Sequence, residues 1–361
     1  MSDFSKEREF GLDLIRAIAI LLVLISHGRQ LLSQPDSGLP LTFGGWYGVE
    51  LFFVLSGFLI GTVFIREYDR GLTTARVTRF WTRRWLRTIP AYWGCLLFIW
   101  FVYGRIDWSY FVFMQPFLED GYEILPVSWS LVIEEMFYLI LPLAFLSARN
   151  REYHPALVAS LVLITISTAI YAANPFLLSA EGLRKFPFRF DNISVGVLLA
   201  YLYAKRDLEA FVQRYKAGVF ICSVTALIFV IAYYEIRILE FTQYQFKLID
   251  KLYSIITGVS AALLIALSRT LFAPRNFAIQ AGVRWVSILS YSCYLWHLMV
   301  ISEIQQSTDY RGPLLYILTV PVMIAISVIP YLLVEKPFLA FRDRLSSPTS
   351  PLISYRIKKR A

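Results

Sequence analysis

Histidines, carboxylates and arginines stand inside otherwise apolar stretches of this chain, where ionisable groups are costly and usually functional. The first stretch reads Arg16-Ala-Ile-Ala-Ile-Leu-Leu-Val-Leu-Ile-Ser-His27. On a helix this spacing turns through about 1,100°, three turns plus about 20°, so Arg16 and His27 share one face about 16 Å apart along the axis. An imidazole is the side chain best suited to take and return a proton near neutral pH, which makes His27 a candidate general base. A histidine bonded to a neighbouring carbonyl for packing is the equal alternative. Glu50, in Gly48-Val-Glu50-Leu-Phe-Phe-Val-Leu-Ser56-Gly57, either pairs with that imidazole and sets its tautomer or sits hydrated at an interface. Glu134 and Glu135 point about 100° apart on a helix, so one is expected to face a site and the other a neighbouring helix. Arg189, Asp191 and Asn192 open one further apolar stretch, and His297 lies within another.

A second kind of chemistry is written in Arg76-Val-Thr-Arg79-Phe-Trp-Thr-Arg83-Arg84-Trp-Leu-Arg87. Guanidinium forks match phosphate oxygens bidentately. If this tract is helical, Arg76, Arg79, Arg83 and Arg87 fall on one stripe. An ordinary basic loop touching anionic lipid is the competing reading.

The elements that must position these groups follow from composition. The chain has 361 residues, 57% hydrophobic, 17% charged and 16% aromatic, far more apolar than a soluble domain. A span needs roughly 20 mostly apolar residues. Ten candidates appear, at about 12–32, 47–66, 86–104, 129–148, 155–173, 188–204, 217–235, 251–269, 285–304 and 313–334. The net charge of +9 needs no nucleic acid to explain it. Most Lys and Arg fall between alternate spans, as in Arg66 to Arg87, Lys205 to Lys216 and Lys336 to Arg360, on the same side as the N-terminus. The opposite segments hold few, such as Arg29, Arg105 and Arg311. The positive-inside rule then places both termini in the cytoplasm. The expected fold is an all-α integral membrane protein of about ten transmembrane helices in the inner (plasma) membrane. Residues 1–345 form the membrane domain and 346–361 a basic cytoplasmic tail. The first apolar stretch lacks a small-residue cleavage site and is read as a retained span. Cys95, Cys222 and Cys293 lie in apolar runs, with neither a disulfide framework nor metal-ligand spacing. On this topology His27, Glu50, Glu134, Asp191 and His297 all fall in the outer half of the membrane. The aromatic segment 105–128 is a candidate for stacking on sugar faces, or equally for interfacial anchoring. Gly57 and Gly61 form a small-xxx-small face suited to close helix packing.

Taken together, these tracts resemble the membrane-bound acyltransferase family 3, O-acyltransferases of surface glycans, Nod factors and macrolides. The matching stretches are Leu12-Asp-Leu-Ile-Arg16 through His27, Gly48-Val-Glu-Leu-Phe-Phe-Val-Leu-Ser-Gly57-Phe, Arg83-Arg84-Trp-Leu-Arg87-Thr-Ile-Pro90-Ala-Tyr92, Trp129-Ser-Leu through Tyr138, Arg189 through Gly196, Leu289 through His297, and Glu335-Lys-Pro337-Phe338. The resemblance implies a ten-helix domain and transfer of an acyl group, acetyl by default, from cytoplasmic acetyl-CoA or another acyl-CoA to a hydroxyl of a polysaccharide, oligosaccharide or lipid-linked glycan outside. It implies His27 as catalytic base with Glu134 and Glu50 as site carboxylates. Arg16, Arg83, Arg84 and Arg87 then stand on the donor side, and Trp129, Arg189, Asp191 and His297 on the acceptor side. Many family members carry a fused hydrolase-like domain; this chain stops soon after Lys358-Lys359-Arg360, so it is expected to act alone or to hand its acyl group to a separate partner.

A thioester is already activated, so no metal or ATP is required. Acyl transfer needs a base, an oxyanion stabiliser and phosphate anchors. Direct transfer and a transient acyl-imidazole on His27 both fit these residues. A proton-coupled transporter or lipid-linked sugar flippase using Arg16, Glu134 and His27 as a relay is the competing function.

Overall fold

The computed structural model describes residues 9–32, 44–118, 123–147, 153–173, 189–238 and 247–346. The 174–187 loop, parts of the 105–128 and 236–250 loops, and nearly all of the basic tail lie outside the described residues.

Helices occupy all ten apolar stretches, and no strand occurs among the described residues. In chain order they are α1 (Phe10–Gly28), α2 (Gly45–Asp69), α3 (Thr74–Tyr103), the single turn α4 (Trp108–Phe111), α5 (Ser128–Ser147), α6 (Pro155–Ala173), α7 (Asp191–Lys205), the short α8 (Leu208–Arg214), α9 (Lys216–Ile238), α10 (Lys247–Ser268), α11 (Phe277–Ser307), α12 (Pro313–Pro330) and α13 (Lys336–Ser346). Among the described residues, seven stretches are long and apolar enough to cross a membrane: α1, α2, α3, α5, α9, α11, and α12 with its continuation. Two shorter apolar helices are Pro155–Ile170 and Leu252–Ser268. The 15-residue α7 is shorter than a full span, and its first turn, Asp191-Asn192, is polar and buried.

The basic tract 76–87 and the apolar tract after it are one 30-residue helix, α3, rather than a loop and a span. Thr73 caps its start by accepting the Arg76 N–H at 3.4 Å, and Gly104 closes it with a positive φ of 66°. Asn276 caps α11 in the same way, accepting from the N–H groups of Ala278 and Ile279. Between α12 and α13 the helix widens to a π-turn over Tyr331–Glu335. The prolines at 330 and 337 flank this turn, and a proline cannot donate to the carbonyl four residues back.

The bundle is built around α2. Of its apolar window 78% is buried, against 17% for α9 and for α12, which places those two at the periphery. The contact of α2 with α7 is made by glycines: a Cβ on Gly57 would lie 1.9 Å from the Ile193 carbonyl oxygen, and one on Gly196 2.0 Å from that of Val54. The small-residue face read from Gly57 and Gly61 is a backbone-to-backbone packing surface.

Helix directions can be read from paired contacts. Helix α1 runs parallel to α11, with Asp13 beside Ser287 and His27 beside His297. Helices α3 and α5 are antiparallel, since Trp81 donates to the Tyr138 carbonyl and Thr88 donates to Glu135. Helices α2 and α7 are parallel, with Gly57 against Ile193 and Gly61 against Val197.

Candidate active site

A cavity opens between α1, α2, α3, α5 and α11, enclosing about 720 Å³ of atom-free space with its open mouth included. Its polar lining is Arg16, Ser56, Arg84, Arg87, Thr88, Ser130, Glu134, Ser290, Tyr291 and Tyr294. They come from five helices, α1, α2, α3, α5 and α11, which tertiary packing brings together.

Arg84 is the most heavily engaged of the three arginines. Its guanidinium donates to the Tyr138 hydroxyl and, at 3.2 Å, to Ser56 Oγ; it lies 3.6 Å from Glu134 Oε2 and 4.2 Å above the Tyr138 ring. Tyr138 in turn donates to Glu134 at 2.7 Å. Arg16 is held by Asp13 at 3.2 Å and by Ser287 Oγ at 3.1 Å, and Ser287 donates to Asp13 at 2.7 Å. Arg87 makes no hydrogen bond or ion pair among the described residues, and it interacts electrostatically with the buried Glu335 carboxylate. Arg83, next to Arg84 in sequence, points the other way: it is 43% exposed and faces Asp343 of α13 at 3.6 Å. The Arg84–Arg87 pair, i and i+3, reaches the cavity, whereas the Arg76–Arg79–Arg83 stripe does not line it.

The adjacent glutamates divide as helical geometry requires. Glu134 lines the cavity, and Glu135 is buried and accepts the Thr88 hydroxyl at 2.8 Å. Glu134 therefore stands at the depth of Arg84 and shares the cavity with Arg16 and Arg87.

His27 does not line this cavity. Its Nδ1 lies 3.1 Å from the Val23 carbonyl oxygen and 3.2 Å from His297 Nε2. His297 is fully buried, with Nδ1 facing the carbonyl oxygens of Cys293 and Tyr294 at 3.1 and 2.9 Å. Both of its ring nitrogens are thus taken by protein partners. Tyr294 connects the two regions: it lines the cavity, its ring is 5.9 Å from that of His297, and its hydroxyl is 2.7 Å from Ser130 Oγ.

Glu50 does not pair with His27. It is buried and bonded by Arg189 at 2.5 Å and by Asn192 Nδ2 at 2.5 Å. A full positive charge from Arg189, two residues before α7, outcompetes a neutral imidazole for the carboxylate at that distance. Trp129 and Phe53 flank the guanidinium, each ring centroid 5.8 Å from it. Asp191 accepts the Ser254 hydroxyl of α10. Glu50, Arg189, Asp191 and Trp129 thus form a buried cluster that ties α2, α5, α7 and α10 together.

Sequence reasoning did not single out Asp13, Ser56, Tyr138, Ser287 or Tyr294. Asp13 carried a readable signal, three residues before Arg16 on the same helix face. The others are ordinary polar residues whose importance is positional.

The fold and cavity define a membrane-embedded helical bundle with an arginine-lined internal site. The chain belongs to the acyltransferase domain family, which matches residues 9–332. It is 24% identical to the peptidoglycan O-acetyltransferase OatA of Listeria monocytogenes over 92% of this chain and 56% of that protein. It is 26% identical to a putative O-acetyltransferase of Staphylococcus aureus, over 91% of this chain and 57% of that protein. With the putative peptidoglycan O-acetyltransferase YrhL of Bacillus subtilis the identity is 25%, over 91% and 54%. The chain spans little more than half the length of these relatives. No solved structure matches.

Proposed function

We propose that the chain is a multi-pass O-acyltransferase of the inner (plasma) membrane that moves an acyl group, acetyl by default, from cytoplasmic acyl-CoA to a hydroxyl of a cell-envelope glycan outside. The observation that carries this reading is the cavity that Arg16, Arg84 and Arg87 line together, with Asp13 paired to Arg16, Glu134 beside Arg84, and Arg87 making no hydrogen bond or ion pair among the described residues. Guanidinium groups fixed in a site of low dielectric suit the phosphates of a nucleotide thioester. The names of the curated relatives support acetyl as the group and peptidoglycan as the acceptor class. The directions of α1, α2, α3, α5, α7 and α11 are compatible with alternating crossings, and the basic segments between alternate spans support cytoplasmic termini.

In this mechanism the donor's phosphates rest on Arg84 and Arg87 and its acyl end points past Tyr294 toward His27. His27 Nε2 takes the proton of the acceptor hydroxyl as its oxygen attacks the thioester carbonyl. The new C–O bond forms, the C–S bond breaks, and the departing CoA thiolate receives that proton from Nε2. His27 ends neutral, ready for another cycle.

The test is transfer of labelled acetyl from acetyl-CoA to peptidoglycan in membranes holding wild-type or His27→Ala protein at matched abundance. Loss of a proton acceptor in the variant is expected to cost about 10²–10⁴-fold in rate. Equal transfer by both proteins would remove His27 as the base. CoA-independent movement of a lipid-linked sugar would favour a carrier instead.

A further inference from the structure

We infer that His297 is a positioning residue that holds the proton of His27 on Nδ1 and so presents His27 Nε2 as the basic lone pair; this rests on His27 being the base. The argument is a count of donors and acceptors. His297 Nδ1 faces two carbonyl oxygens, at 3.1 and 2.9 Å. Both are acceptors, so Nδ1 carries the hydrogen, and in the neutral ring Nε2 is left as an acceptor. That Nε2 lies 3.2 Å from His27 Nδ1, which also lies 3.1 Å from the Val23 carbonyl oxygen. His27 Nδ1 therefore faces two acceptors and must itself be the N–H. The reverse arrangement, His297 donating from Nε2, would aim the bare Nδ1 lone pair of His27 at the Val23 oxygen.

The pair works as a directional chain. When His27 Nε2 takes the acceptor proton, the ring becomes an imidazolium, and its Nδ1–H bond to His297 becomes charge-assisted and stronger. His297 stabilises this charge as a neutral group, without putting a carboxylate in the apolar interior. Burial of His297 keeps water from competing for its Nε2. The parallel packing of α1 and α11 sets the two rings side by side, with centroids 4.9 Å apart.

The test reads the tautomer directly. The chain has three histidines, so ring-¹⁵N solid-state spectra of the full chain in proteoliposomes are assignable with single variants. Neutral His27 is expected to show a protonated Nδ1, a bare Nε2 and a ¹⁵N–¹⁵N cross-peak between Nδ1 and Nε2 of His297. A bare Nδ1, or no cross-peak, would overturn the inference. In acetyl transfer from acetyl-CoA, His297→Phe is expected to lower kcat about 10–100-fold, the range of a lost charge-assisted hydrogen bond, with KM for acetyl-CoA unchanged. His297→Gln, whose amide keeps one acceptor and one donor, recovers most of kcat. Equal loss in both variants would mark a packing role and overturn the inference. Full activity in His27→Ala would instead sink the base assignment, while the spectra still decide whether the rings are bonded.

Discussion

Arg87 and Arg83 are one helical turn apart and share residue type, yet the fold gives them different surroundings. Arg87 lines the cavity, and Arg83 meets Asp343 at the surface. Removing a guanidinium that grips a phosphate costs on the order of 1.5–3 kcal/mol. Arg87→Ala is therefore expected to raise KM for acetyl-CoA about 10–100-fold, and Arg83→Ala to have a much smaller effect, both measured by labelled acetyl transfer. Equal effects from the two variants would displace the donor site from the cavity. Glu134 receives both Arg84 and the Tyr138 hydroxyl, so its role includes aiming Arg84. Glu134→Gln keeps one carbonyl acceptor and is expected to weaken acetyl-CoA binding less than Glu134→Ala does, in the same assay.

At the scale of elements, two contacts decide how the helices sit. The α2–α7 crossing has no room for a side chain at Gly57. Gly57→Leu is expected to cost more than the roughly 1–3 kcal/mol of ordinary overpacking, because the clash is with backbone. The readout is the thermal midpoint of the detergent-solubilised protein, and an unchanged midpoint would contradict the packing. The second contact joins the ends of α2, α6 and α7 around His154. Its Nδ1 accepts the Ala156 N–H at 3.2 Å, so Nε2 carries the hydrogen and faces Asp69 at 3.8 Å. Burial chiefly, then the charge of Lys205, pushes the His154 imidazole below its ordinary value, and Asp69 only partly opposes this. The folded protein thus prefers neutral His154. Its contribution to stability is present above the ordinary histidine pKa of about 6.5 and is lost as pH falls from there through the lowered folded value. His154→Gln is expected to flatten this acid-side loss in thermal melts between neutral and mildly acidic pH.

For the whole molecule, the directions of α1, α2, α3, α5, α7 and α11 agree with alternating crossings. On the proposed topology the turn at Gly71 is cytoplasmic and the segments at Arg105 and Asp309 face the other side. Single cysteines at these positions, in a protein whose own Cys95, Cys222 and Cys293 have been replaced, test this in intact cells. An impermeant maleimide is expected to label positions 105 and 309 directly and position 71 only after permeabilisation. Labelling of all three from outside would break the topology and with it the cytoplasmic donor entry.

What the sequence determined by itself was the helical class, the location of ten apolar helices and the family, because apolar length, charge placement and short motifs are local properties. The shared helix of Arg16 and His27 and the division of labour between Glu134 and Glu135 were also legible, since both follow from helical periodicity. The partners were not. Glu50 meets Arg189 rather than His27, Arg84 meets Glu134 across α3 and α5, and His297 meets His27 from 270 residues away. Each pairing depends on which helix faces are pressed together and at what depth. Those are set by glycine-mediated backbone contacts such as Gly57 on Ile193, which no spacing along the chain encodes.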